Sequence, residues 1–198
     1  MEEFWFYIKL GLNHVLDFGA YDHILFLAAL AVPFTFKSWK KVIILATVFT
    51  ITHCVSLALS VYNVFVIDVA LIEFLIPITI LITALLNLYY VKCGIERMGI
   101  GLHILATAFF GLVHGFGFSN YFKLLMAEEE EKLNPLLGFA TGIEFSQILI
   151  ILVALVLSYV SQTIFRMQHR LYIIVFSIIV IVITLPMVVK TFPFIDFH

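Results

Sequence analysis

Seven ionisable side chains sit inside apolar runs long enough to cross a bilayer: His14, Asp22, His23, His53, Glu73, His114 and Glu144. Asp22-His23 leads straight into Ile24-Leu25-Phe26-Leu27, and His53 is embedded in Thr52-His53-Cys54-Val55-Ser56-Leu57. Ionisable groups at that depth cost about 2.5–3.5 kcal/mol each on insertion scales, so they rarely persist without a partner or a task. Imidazoles and carboxylates together are the ligand set for a divalent transition ion such as nickel, cobalt or zinc. Asp22 makes the strongest case. No Lys or Arg stands in the core of any span, so its charge needs an imidazolium or a metal.

The elements that must position these groups follow from composition. The chain has 198 residues, 63% hydrophobic and 12% charged, with a mean hydropathy of +1.14. Soluble domains are about 45–50% apolar and about 25% charged, so this is an all-α polytopic membrane protein in a lipid bilayer. No linker, low-complexity tract or repeat divides residues 1–198, which read as one transmembrane domain. A net charge of −2 with scattered basic residues argues against nucleic acid. Met-Glu-Glu-Phe-Trp lacks a basic n-region and a cleavage site, so no removable signal is expected. Cys54 falls mid-helix and Cys93 in a loop, which speaks against a disulfide between them. Self-association is left open.

Windows of about 20 apolar residues predict six spanning helices, near 12–35, 42–62, 65–88, 99–122, 136–161 and 171–190. Tyr62-Asn63 is the expected turn between the second and third. The first, third and fifth loops hold Lys37, Lys40, Lys41, Lys92, Arg97, Arg166 and Arg170. The termini and the even loops hold only Lys9, Lys123, Lys132 and Lys190. The positive-inside rule then puts both termini outside the cytoplasm.

Counted along each helix at about 1.5 Å per residue, Asp22, His23, His53, Glu73, His114 and Glu144 lie roughly 12–16 Å below the outer surface. Five helices therefore deliver polar groups to one layer, and all six side chains are expected to point inward. Glycines flank two of them, in Gly111-Leu112-Val113-His114-Gly115 and in Gly138-Phe139-Ala140-Thr141-Gly142 before Glu144. Small residues four apart let helix backbones approach closely in lipid. The last span has no ionisable residue in its core and reads as a packing helix.

Each residue has a plainer reading beside the functional one. His53 with Thr52 and Ser56 could form a helix-packing hydrogen-bond cluster. Glu73 and Glu144 could be protonated between helices or carry protons rather than ligate; Gln147 shares the Glu144 face. His14 is close enough to the outer interface to reach water. Asp17 and Asp68 read as solvated. His103 shares the His114 face about 16 Å below it, as an exit-side relay or as an ordinary interfacial histidine, and Asn87 stands at a similar depth. Cys54 reads as packing, and the Glu128–Glu131 run as a solvated loop. His169 and His198 carry no role.

The residues also resemble a known family. Gly11-Leu12-Asn13-His14 with Tyr21-Asp22-His23-Ile24-Leu25-Phe26 is similar to the start of the HupE/UreJ family of small membrane proteins. Thr50-Ile51-Thr52-His53-Cys54-Val55-Ser56-Leu57 and Phe110-Gly111-Leu112-Val113-His114-Gly115-Phe116-Gly117-Phe118 resemble its second- and fourth-helix motifs, and Gly142-Ile143-Glu144-Phe145-Ser146-Gln147 its Gly-x-Glu-x-x-Gln segment. Leu16, Phe110 and Gly117 stand where the hydrogenase-linked branch carries ionisable residues, which aligns the chain with the urease-like side. The resemblance implies a bacterial cytoplasmic-membrane protein tied to hydrogenase or urease assembly, and a permease for nickel or cobalt.

Three functions are consistent with the pattern. The favoured one is a permease for a divalent transition metal, without an ATP motor because no Gly-x-x-x-x-Gly-Lys-[Ser/Thr] occurs. The second is an intramembrane zinc hydrolase, which needs three protein ligands and a general-base carboxylate. The third is a metal-binding sensor or accessory subunit.

Overall fold

The computed structural model describes residues 2–65, 67–94, 100–127, 129 and 131–192. Among them the chain forms seven α-helices: α1 (Glu2–Leu16), α2 (Asp22–Ala31), α3 (Trp39–Val61), α4 (Val69–Cys93), α5 (Ile100–Leu125), α6 (Leu133–Thr163) and α7 (His169–Lys190). A short 3-10 turn, Phe36–Ser38, leads into α3. Helices α3 to α7 are long and apolar enough to cross a membrane. They correspond to the predicted second to sixth spans, with ends shifted by a few residues.

The first predicted span is corrected. It is not one helix over 12–35 but two, with α1 beginning ten residues earlier than expected. The interruption has local causes. Asp17 Oδ1 accepts the Gly19 amide at 2.7 Å, and the Ala20 amide donates to the Asp17 carbonyl. An Asx turn of this kind offers the backbone an alternative to helical hydrogen bonds, and glycine eases the bend. Helix α2 restarts at Asp22, whose carboxylate accepts the His23 amide at 2.9 Å, one of the donors left open at a helix start. Hydropathy windows average over such a turn and miss it.

Contacts set the helix directions. Phe4 meets Gly138, Ile8 meets Gly142 and Leu12 meets Ser146, so α1 runs parallel to the first half of α6. Beyond the break, Ala31 packs with Ile151 and Leu155, so α2 continues along the second half. Helices α3 and α5 are also parallel, with Phe49 and Thr52 against Gly111 and His53 and Ser56 against Gly115. Helix α4 lies antiparallel to α5, from Ile72 and Ile76 at Gly117 to Tyr90 at His103. Helix α7 backs onto α4, with Phe192 by Phe74 and Arg170 donating to the Val91 carbonyl.

Glycine makes two of these approaches feasible. A Cβ on Gly142 would run into the Ile8 carbonyl, and one on Gly115 into the Ser56 hydroxyl and the His53 carbonyl. The expected turn between α3 and α4 is present, with Asn63 at φ 55°. Asp68 caps α4 by accepting the Ala70 amide at 2.8 Å. Cys54 and Cys93 are free thiols, and Cys93 is the last residue of α4 rather than a loop residue. The loop residues Glu96, Arg97, Glu128 and Glu130, and the tail residue His198, lie outside the described residues.

The bundle places polar groups inside and apolar ones outside. His23, His53, Ser56, Thr79, Asn87, Thr107, His114, Ser146 and Gln147 are buried, whereas Ile44, Leu105, Phe109, Val153, Ile178 and Val182 are exposed. This is the arrangement expected where lipid surrounds the helices and side-chain polar groups hold them together.

Candidate metal site

Four helices bring four imidazoles together. His14 comes from the last turn of α1, His23 from the first turn of α2, His53 from the middle of α3 and His114 from the middle of α5. The His14 and His23 rings are 4.6 Å apart between centroids, His14 and His53 5.7 Å, His23 and His53 6.0 Å, and His23 and His114 5.0 Å. One nitrogen from each of His14, His23 and His53 lies within 4.8 Å of the others. His114 stands at the edge of this triplet.

The second nitrogens explain why these rings could act as ligands. His23 Nδ1 faces Asp22 Oδ1 at 3.2 Å, and His114 Nδ1 faces the Phe110 carbonyl at 3.0 Å. Each contact fixes the tautomer with Nδ1 protonated and Nε2 free to donate a lone pair. The Nε2 atoms of His14, His23, His53 and His114 are all buried and have no hydrogen-bond partner among the described residues. Buried polar atoms are seldom left so. An array of convergent imidazole nitrogens suits zinc, nickel, cobalt or copper.

Phe118 of α5 and Phe139 of α6 stack with centroids 5.3 Å apart and lie against the His14 ring. Next to this stack, an open cleft of about 500 Å³ reaches His14 past Asn13, Asp17 and Tyr121. The cluster therefore borders an open cleft beside the α1–α2 break.

Not every predicted residue joins the cluster. Asp22 touches it through His23 and acts on the ring rather than standing among the converging nitrogens. Glu144 is turned to α3: its Oε1 accepts from Thr47 at 2.7 Å and its Oε2 from Thr50 at 2.5 Å. Thr50 is three residues from His53, so this carboxylate lies about one helical turn along α3 from the imidazoles. Glu73 is exposed on α4, against the expectation that it points inward. Helix α4 turns Thr79, Thr83 and Asn87, four residues apart, into the bundle, and Glu73 stands off that face. Thr47 and Thr50 went unrecognised, because hydroxyl residues on a helix ordinarily bond their own backbone and leave no distinctive pattern.

No curated protein and no solved structure matches this chain. The sequence profile described as HupE / UreJ protein matches residues 1–191, which include all four histidines, Asp22 and Glu144. The chain is a member of the HupE/UreJ family.

Proposed function

We propose that the protein is a membrane permease for a divalent transition-metal ion, with nickel or cobalt as cargo. The observation that carries this reading is the convergence of His14, His23 and His53 nitrogens within 4.8 Å, next to an open cleft. An ion bound at about 2.0–2.1 Å from each nitrogen would draw the rings slightly inward, and His114 is near enough to add a fourth ligand. Asp22 supplies negative charge behind His23, which offsets both the ion and the positive end of α2.

The broken first segment fits this role. Discontinuous membrane helices place their ends and unwound turns at ion sites in many transporters. Here α1 and α2 together follow the length of α6, so we read them as a sixth crossing with the histidine site at its interruption. With both termini outside the cytoplasm, the cleft at His14 would face outward and admit the ion.

The imidazole triplet is also the donor set of a catalytic zinc site. Hydrolysis would need a carboxylate at the ion to act as general base. Asp22 is held on the outer nitrogen of His23 rather than among the converging nitrogens, and both Glu144 oxygens are engaged by threonines. Permeation is the better reading.

The deciding experiment is flux of Ni2+ and Co2+ into proteoliposomes holding the purified chain and an internal metal-sensitive dye. Uptake above that of protein-free vesicles, lost in His23→Ala plus His53→Ala, supports the permease. A wild-type chain that binds either ion but admits neither would reject it.

A further inference from the structure

Past the histidine cluster, aromatic rings close the bundle before it opens again. Phe26 and Phe49 stack at 5.2 Å, and Phe26 meets Phe110 edge-on at 5.1 Å. His114 lies against two of these rings, 5.7 Å from Phe26 and 5.5 Å from Phe49. On the other side Phe110 lines a cavity of about 10 Å³ with Thr83, Asn87, His103 and Thr107. That is room for one water-sized occupant.

Polar groups interrupt a lining that is otherwise apolar, made by Leu30, Leu86, Ala106 and Phe110. Thr107 is 0% exposed, and its hydroxyl has no hydrogen-bond partner among the described residues. Asn87 is 2% exposed and donates its amide nitrogen to the Ala29 carbonyl at 2.7 Å, which leaves the amide oxygen as its acceptor. His103 lines this cavity and also a wider one of about 100 Å³ that reaches Ser38 and Lys41. A buried hydroxyl without a partner costs on the order of 1–3 kcal/mol. Something polar is expected to occupy the cavity with it.

Register ties the cavity to the first site. On α5, Thr107 and His103 lie seven and eleven residues before His114, within about 20° of the same face and about 10 and 16 Å lower. The Ala29 carbonyl that Asn87 holds belongs to the last turn of α2, the negative end of that short helix. His23 begins the same helix.

We propose that Asn87, Thr107 and His103 form a second and weaker cation station, separated from the histidine cluster by the Phe26–Phe49–Phe110 plug. The inference rests on the permease reading and gives that path its release step. One imidazole with an amide and a hydroxyl oxygen holds a nickel or cobalt ion less tightly than several imidazoles do. A conducting path needs such a step, because an ion held equally tightly throughout would not leave. The plug keeps the two stations from being continuous with water at once.

The test uses Co2+ alone as probe, with the full-length chain in lipid nanodiscs and in proteoliposomes. Equilibrium dialysis of the wild type is expected to find two ions per chain, the second about tenfold weaker or more. Thr107→Val with His103→Phe removes the weak ion and leaves the tight ion's affinity and visible absorption unchanged. In vesicles this variant loses maximal flux, about tenfold or more, while the half-saturating Co2+ concentration stays near the wild-type value. Thr107→Ser keeps the hydroxyl and restores both readouts. A wild-type chain that transports Co2+ but binds one ion overturns the second station and leaves the permease intact. Retention of the weak ion in the double variant also overturns it. Two bound ions with no flux overturn the permease and uphold the cavity as a binding site.

Discussion

Asp22 holds its neighbour His23 twice, with one oxygen that meets the ring nitrogen Nδ1 at 3.2 Å and accepts the backbone amide at 2.9 Å. A single carboxylate thus caps the start of α2 and orients an imidazole in the cluster. Both contacts use Oδ1, so the ring and the helix start move together.

The first prediction separates orientation from ligation. Asp22→Asn keeps the shape of the side chain but removes its charge and weakens its hold on the His23 Nδ1 proton. Loss of such a supporting carboxylate typically costs about 10–100-fold in metal affinity. His23→Ala removes a ligand and is expected to cost more. Calorimetric titration of Co2+ into both variants checks the order. Unchanged affinity in Asp22→Asn would reduce that residue to a helix cap.

The second prediction concerns the helix contacts that hold the site. A Cβ at Gly115 meets the Ser56 hydroxyl and the His53 carbonyl, and one at Gly142 meets the Ile8 carbonyl. Gly115→Ala and Gly142→Ala should each destabilise the protein by about 1–3 kcal/mol, as overpacking does. Gly101 has nothing within 4 Å of an added Cβ, so Gly101→Ala is the neutral control. Thermal unfolding in detergent reads all three. Equal melting temperatures would mean that the helices shift apart at little cost.

Much of this architecture was legible in the sequence, and the gaps have identifiable causes. Helices α3 to α7 announce themselves by long apolar runs, and the layer of His23, His53 and His114 emerged from counting residues along the predicted spans, the first of them included. The α1–α2 break did not, because Asp17 and Gly19 act through local hydrogen bonding that hydropathy averages away. With α1 starting at Glu2, His14 falls on its last turn and joins the cluster, although its sequence position suggested the interface. Glu73 and Glu144 were assigned to the same layer from depth alone. Depth fixes height in the bundle but not direction around a helix, and these two side chains turn away from the imidazoles. The Thr107 cavity needs α2, α4 and α5 together, so no single segment could reveal it.

The third prediction is a pH dependence with a definite sign. Ligation requires the neutral imidazole, so protons compete with the ion. Affinity for Ni2+ or Co2+ should fall as pH drops, more steeply than one proton per ion allows if several rings ligate together. Titrations carried from pH 8 down to the acid limit of the folded protein measure the slope. A flat profile would argue against histidine ligation.

The last prediction concerns Glu144, whose two oxygens accept from Thr47 and Thr50 and not from the cluster. A carboxylate held this way is poorly aimed at an ion among His14, His23 and His53. It can still take up and release a proton between two hydroxyls, and it lies about one turn of α3 from His53. Glu144→Gln keeps the size and one oxygen acceptor while removing the ability to carry that proton. Metal affinity is therefore expected to change little, whereas uptake into proteoliposomes should slow and lose its response to an imposed pH gradient. Glu73→Gln, at an exposed position on α4, should alter neither. If Glu144→Gln loses binding as severely as His23→Ala, the carboxylate must swing from the threonines to the ion during the cycle. If it transports at the wild-type rate with the wild-type pH response, the Thr47–Thr50–Glu144 contact only fastens α3 to α6, and the proton must move by another route.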